Sequence, residues 1–262
     1  MSAFAEKYGP FAVVAGASEG LGAAFAHAIA ARGVGLVLLA RRKDALEAVA
    51  VEIAKQHGAE ARAVACDLAD DALPAALADA TRGLEIGLGV YNAAYSFIAP
   101  LLERPIEDAL RVVDVNVRGP LRFAHALVPS MIARRRGGLV LMASMAGFQG
   151  NPRLAAYAAS KAFEIVLAES LWAELRPHGV DVLASCPGAV RTPSYLKTTE
   201  REAPGTLDAL AVATRTLDAL GGGPTYVPGA VNKMARFFLG RMLPRTSAVG
   251  VMQRNTKNLR DP

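Results

Sequence analysis

The sequence predicts an α/β protein built on one doubly wound parallel sheet flanked by helices. Three observations carry this. Short, almost continuously apolar runs alternate with longer amphipathic stretches as far as Gly188. A glycine-rich turn, Gly16-Ala-Ser-Glu-Gly20-Leu-Gly22, follows the first apolar run directly and opens a helical stretch. No linker-like segment and no internal repeat divides the chain, so one domain over residues 1–262 is expected. Strands are expected at 11–15, 35–40, 61–66, 86–91, 138–143 and 180–185. Runs this short and this apolar, bounded by Gly or charge, suit strands buried on both faces of a parallel sheet. Helices fall at about 20–32, 43–57, 71–82, 105–135 and 154–177, which makes each connection a right-handed crossover. Past Gly188 the pattern changes. Residues 189–205 lack periodicity and read as a mobile loop over a substrate site. Residues 206–262 read as a helical extension: a helix at 206–220, a break at Gly221-Gly222-Gly223-Pro224, and a basic amphipathic helix at 231–243. That last helix is expected to pack on the domain edge, with peripheral membrane contact as the alternative.

Composition sets the surroundings. The chain has 262 residues, 52% hydrophobic, and can bury a substantial core. No apolar run has the length of a membrane span, and the start Met1-Ser-Ala-Phe-Ala-Glu-Lys lacks a signal-peptide core. A soluble, cytoplasmic protein is expected. Cys66 and Cys186 each end an apolar run and read as buried thiols, not as a disulfide or a metal site. The net charge of +5 favours anionic partners such as phosphate-bearing cofactors. Arg134-Arg135-Arg136 reads as a solvated helix end, where cations complement the dipole. No aromatics interleave with it, so nucleic acid is not an expected partner.

The chemistry is concentrated at three places. At Gly16–Gly22, glycines allow a tight turn and close approach of the backbone to a pyrophosphate at a helix N-terminus. The same residues spell Gly-x-Ser-x-Gly, the nucleophile elbow of serine hydrolases. That reading needs strands and an oxyanion loop upstream, and an acid then a histidine downstream. Only ten residues precede the first strand, and His178 is the last histidine. The second strand ends in Ala40-Arg41-Arg42. An acid at this point binds the ribose 2′-hydroxyl of NAD, whereas guanidinium groups suit the 2′-phosphate of NADP. NADP(H) is therefore favoured, with NAD(H) the alternative. Finally, Tyr157 and Lys161 lie four apart in a helical stretch and share one face. Bringing a phenol from its usual ~10 to near ~7 takes roughly 4 kcal/mol of differential stabilisation, within reach of a close ammonium in a dry pocket.

In this order, over residues 10 to about 195, the motifs resemble the short-chain dehydrogenase/reductase family. The resemblance implies a Rossmann-like fold and a nicotinamide cofactor. It places Gly16, Gly20 and Gly22, with Ser18, Glu19 and Leu21 between them, in the family's glycine motif. Asp67, with Leu68, matches the acid that contacts adenine. Asn92-Ala93-Ala94 stands where the family usually has Asn-Asn-Ala-Gly, so Tyr91 and Ala94 are departures; the Ala94 methyl is expected near the cofactor ribose. Pro187-Gly188-Ala-Val190-Arg-Thr192 matches the segment facing the nicotinamide. Ser144, thirteen residues before Tyr157, together with Asn116, Tyr157 and Lys161, matches the catalytic set. Glu19 replaces a basic residue common in NADP-dependent members.

The resemblance implies hydride transfer between nicotinamide and a ketone or secondary alcohol. Tyr157 acts as general acid/base, and Ser144 holds the substrate oxygen. Lys161 supports the phenol and the ribose, and Asn116 supports a water that relays protons to Lys161. Tyr95, Phe97, Met145, Phe148 and Tyr195 are the expected pocket lining, which points to a hydrophobic substrate. A homodimer or homotetramer paired through 118–135 and 154–177 is implied, unless the C-terminal tail covers that surface. A catalytically quiet cofactor-binding or scaffold protein on the same fold is the competing reading. The intact set of four counts against it.

Overall fold

In the computed structural model, residues 2–257 and 259–261 are described. Met1, Asn258 and Pro262, which belong to the expected domain and extension, lie outside the described residues. A short helix α1 (Ala3–Tyr8) leads into β1 (Phe11–Ala15), α2 (Gly20–Ala30), β2 (Gly35–Ala40), α3 (Lys43–His57) and β3 (Ala61–Ala65). Then come α4 (Leu73–Ala80), β4 (Ile86–Tyr91), α5 (Ile106–Val113), α6 (Gly119–Arg134), β5 (Gly137–Met142), α7 (Ala155–Leu175) and β6 (Val180–Ser185). The remainder is β7 (Val190–Arg191), α8 (Pro193–Thr198), β8 (Leu207–Asp208), α9 (Ala209–Ala219), β9 (Thr225–Tyr226), α10 (Ala230–Phe237) and α11 (Arg245–Thr256).

Seven strands form one parallel sheet in the order β3-β2-β1-β4-β5-β6-β9. Strand residues alternate between two cores. Val14, Leu36, Leu38, Val90 and Val140 face Phe25 and Ile29 of α2, Ile53 of α3 and Leu217 of α9. Val13, Val37, Leu39, Leu139 and Val182 face Phe123 and Leu127 of α6 and Ile165 of α7. The expected strands buried on both faces hold for β1, β2, β4, β5 and β6, but not for β3. β3 is a sheet edge with no buried residue, because no strand lies beyond it and Arg62 is on it. β9 is the opposite edge. It has only two residues and no apolar run, so periodicity does not mark it.

Four other expectations change. The helix expected at 105–135 is divided by a wide π-turn over Asp114–Arg118, a feature that concentrates at functional sites. The loop at 189–205 is structured: β7 pairs with β8, and Thr192 caps α8 by accepting the Tyr195 N–H. The Arg134–Arg136 cluster is not simply solvated. Its guanidinium groups donate to the carbonyls of Ile86, Pro177 and Glu6, tying the end of α6 to β4, to the turn after α7 and to α1. Cys186 is buried, but Cys66 is only half-buried, since it ends the edge strand. Among the described residues, no helix is long and apolar enough to cross a membrane.

Candidate active site

The strand order reverses between β1 and β4, and ligands of such sheets bind outside the carboxyl ends of the strands at that crevice. The predicted residues follow those ends: Gly16 after β1, Arg41 and Arg42 after β2, Asp67 and Leu68 after β3, Asn92–Ala94 after β4, Ser144 after β5, Pro187 and Gly188 after β6. The turn after β1 has a cradle shaped for a close-approaching ligand. Gly16 has φ +83°, and a Cβ there would lie 2.7 Å from the Ala93 backbone. A Cβ on Gly22 would collide with the Gly16 carbonyl oxygen, which also accepts from Asn92 Nδ2 at 3.0 Å. Gly20, at φ +58°, faces Thr192. The fit to a dinucleotide therefore rests on a backbone that side chains would fill.

Arg42 donates to Ser18 Oγ at 3.2 Å and pairs with Glu19 at 2.9 Å, while Arg41 is exposed beside it. Ser18 thus meets a guanidinium, not the histidine a nucleophilic serine needs; His27 instead meets His57. Asp67 accepts two bonds from Arg111, at 2.7 and 3.0 Å, and one from the Ala69 N–H. Burial pushes its carboxyl up, but Arg111 and that N–H outweigh burial and hold it below the usual range. Leu68 is buried and Ala94 exposed. Gly188 packs on Asn232, and Val190 sits on β7.

Beyond the carboxyl end of β5, Ser144 caps a single 3₁₀ turn, Met145–Phe148, and its Oγ accepts the Ala146 N–H. That turn is seated from both sides. Met145 N–H donates to the Pro187 carbonyl, and a Cβ on Gly147 would lie 2.6 Å from the Lys161 backbone. Tyr157 and Lys161 occupy one face of α7, with Nζ 5.7 Å from the centroid of the Tyr157 ring. Lys161 is buried and donates to the Met142 carbonyl at 2.7 Å and to both Glu164 oxygens at 2.9 and 3.0 Å.

Asn116 sits in the π-turn, fully buried. Its Oδ1 accepts the Tyr95 N–H, and its Nδ2 donates to the Tyr95 carbonyl and to Ser160 Oγ. Ser160 in turn donates to the Tyr157 carbonyl. Asn116 is joined to α7 through Ser160. The π-turn is pinned by Tyr91, the departure from the family pattern: its buried hydroxyl donates to the Val115 carbonyl at 2.6 Å. Gly119 makes room for that hydroxyl, since a Cβ would collide with it. Tyr91→Phe should cost about 1–3 kcal/mol by leaving a buried carbonyl unpaired, read as a shift in urea midpoint.

The expected pocket lining is only partly available. Tyr95, Met145, Phe148 and Tyr195 are half-buried, but Phe97 is 3% exposed and lies under the Arg104 guanidinium. Phe97 therefore belongs to the packing of its loop. The Tyr195 hydroxyl accepts the Ala203 N–H and braces the 193–205 segment. Around this rim the C-terminal extension acts as a strap. Arg153 donates to the carbonyls of Thr256 and Leu259, Arg260 N–H to Thr198, and Asp261 accepts from the Ile98 N–H. α10 packs on the edge, with Lys233 over Tyr226 and Arg236 over Phe148, while Met234 and Phe237 on it and Phe238 just after it are exposed.

Two residues of the site, Arg111 and Glu164, do not stand out in the sequence, and Tyr91 stands out only as a departure. Arg111 is separated from Asp67 by 44 positions. Glu164 had a visible signal, since a residue three beyond Lys161 on a helix shares its face.

Comparison with known proteins agrees with this geometry. The family model for the short chain dehydrogenase matches residues 10–203. A very-long-chain 3-oxoacyl-CoA reductase of Phaeosphaeria nodorum is 31% identical, covering 96% of this chain and 76% of its own length. A solved 7β-hydroxysteroid dehydrogenase structure has a TM-score of 0.89 at 28% identity, covering 95% of this chain and 98% of that one. A short-chain dehydrogenase from Sphingobium yanoikuyae in complex with NADPH has a TM-score of 0.79 at 27% identity, with 96% of both chains covered. With its sheet order, its glycine cradle and a matched segment spanning most of its length, the chain belongs to the short-chain dehydrogenase/reductase family of oxidoreductases.

Proposed function

We propose that this protein interconverts a hydrophobic ketone and its secondary alcohol with NADP(H). One observation carries the reading: the Ser144 turn is seated directly on α7 at Lys161, at the same end of the sheet as the glycine cradle. The nicotinamide cofactor supplies or accepts the hydride when bound. Gly16–Gly22 would hold its pyrophosphate, Arg41 and Arg42 its 2′-phosphate, Asp67 and Leu68 its adenine. Asn92, Ala93, Ala94, Pro187, Gly188, Val190 and Thr192 would flank its nicotinamide half. Ser144 Oγ hydrogen-bonds the substrate oxygen and fixes it. Tyr157 gives that oxygen a proton in reduction and removes it in oxidation. Lys161 offsets the charge that forms on the phenol, and Asn116 fixes the π-turn against the catalytic helix. The two named relatives act, by their names, on long-chain acyl and steroid compounds, which suits a half-buried lining of Tyr95, Met145, Phe148 and Tyr195.

The cofactor preference rests on the guanidinium pair. Glu19 competes with a phosphate for Arg42, so Arg41 carries the larger share. Arg41→Ala should raise the KM for NADPH by about 10- to 100-fold, the worth of one charge-assisted bond, with little change for NADH. Equal losses for both cofactors would remove the NADP assignment. The overall reading is tested by following NADPH oxidation with a panel of ketones. NADPH binding without oxidation of it across the panel would favour the quiet cofactor-binding protein. Association as a homodimer or homotetramer through α6 and α7 is proposed on the same basis, and Leu121 and Val166 are exposed apolar residues on those helices.

A further inference from the structure

Glu164 has no part in the chemistry above, yet its side chain is fully enclosed. It lies one turn beyond Lys161 on α7, and both its oxygens accept from Nζ, at 2.9 and 3.0 Å. The remaining direction of the ammonium is taken by the Met142 carbonyl at 2.7 Å, at the end of β5. Lys161 itself is only 2% exposed. Packing alone does not explain such a pair. Enclosing two charges costs more than enclosing apolar side chains of the same volume, and apolar replacements of buried ion pairs are often neutral or better. A lone ammonium in the same seat would hold its proton less firmly. Among the described residues, Glu164 is the carboxylate paired with Lys161. Among the described residues, the other titratable groups around this spot are Tyr157 on α7, Tyr91 on β4 and Cys186 after β6, with Glu169 of α7 and Arg236 of α10 acting on Cys186.

We propose that Glu164 is a positioning residue of the active site, the counter-ion that keeps the Lys161 ammonium charged and fixed between α7 and the end of β5. The inference rests on the proposed role of Lys161 beside Tyr157. Burial pushes the Glu164 carboxyl up to about 7, against the pull of Lys161. The sign for stability follows. The folded protein holds a proton that the unfolded chain releases, so this contribution is present below the ordinary carboxyl value of 4.5 and is lost as pH rises through about 7.

The test uses the cofactor-free protein labelled with ¹³C at lysine, in which the Lys161 resonance is identified by its loss in Lys161→Met. Glu164→Gln should lower the pH at which Lys161 loses its proton by at least ~1 unit, because a buried charge without its partner is penalised. Glu164→Asp should restore most of it. In rate measurements, an inflection near pH 7 in kcat/KM should be present in the parent protein and absent from Glu164→Gln. Unchanged Lys161 titration in a folded Glu164→Gln would overturn the proposal. If that variant does not fold, Glu164→Asp serves, and its failure to hold the parent's Lys161 titration better than Glu164→Leu would overturn it too. The resonance needs no turnover. A shifted Lys161 in a protein that reduces no ketone would leave the counter-ion standing and remove the catalytic reading.

Discussion

Replacing Tyr157 by Phe is expected to lower turnover by ~10³-fold, the usual worth of a positioned proton donor, while NADPH still binds. The ring is half-buried and, in the proposed mechanism, its hydroxyl carries the proton, so the variant loses a proton without losing a core contact. Lys161 keeps its bonds to Met142 and Glu164, neither of which involves the phenol. Cofactor affinity should therefore stay within about threefold of the parent, a difference of under 1 kcal/mol. Turnover and cofactor titration on one preparation separate the two effects. A variant that loses both would mean that Tyr157 holds the fold, not the proton.

The second large effect is at Gly22. A single methyl there meets the Gly16 carbonyl oxygen and approaches Asn92 Nδ2 within 2.8 Å. Both neighbours are fixed. Gly16 N–H donates to the Leu39 carbonyl at 2.7 Å, and Asn92 N–H donates to the Ala15 carbonyl at 2.9 Å. Gly22→Ala must therefore open the turn or displace the start of α2. Overpacking of this kind costs about 1–3 kcal/mol in stability. The larger loss should be in NADPH affinity, ~100-fold or more, since the cradle is the proposed binding surface. Gly250 is the matched control, because a Cβ there meets nothing within 4 Å. Fluorescence titration of NADPH with both variants checks the contrast.

Much of the fold was legible because parallel strands advertise themselves. Leu36–Leu39 are apolar without interruption since both faces of β2 are covered. The same rule failed at β3, where the covering strand is missing, and at β9, where two residues pair with Ala184 and Ser185 and leave no pattern. The π-turn was hidden for a different reason. Its wide turn is held by Tyr91, which reaches Val115 from β4, and by Asn116, whose partners Tyr95 and Ser160 come from separate segments. Local periodicity has no term for such contacts.

The candidate site was legible as a set of strand-end residues, but its electrostatics were not. Tyr157 and Lys161 share a face by spacing alone, and so does Glu164. Only enclosure on all sides makes that third residue matter, and enclosure is a tertiary property. The Arg42–Glu19 pair is similar: each residue was read by itself, and their contact changes which arginine is free to meet a phosphate. The pocket lining was the least legible part. Phe97 has the right chemistry but is covered by Arg104, and the rim is shaped by tail contacts such as Arg153 to Leu259 across 106 positions.

The most direct test of hydride transfer at this site is a progress curve of NADPH absorbance with a panel of hydrophobic ketones, run in parallel on the parent protein and Tyr157→Phe. Oxidation with at least one ketone by the parent, and none above background by the variant, is the predicted result. Equal rates in the two proteins would contradict it.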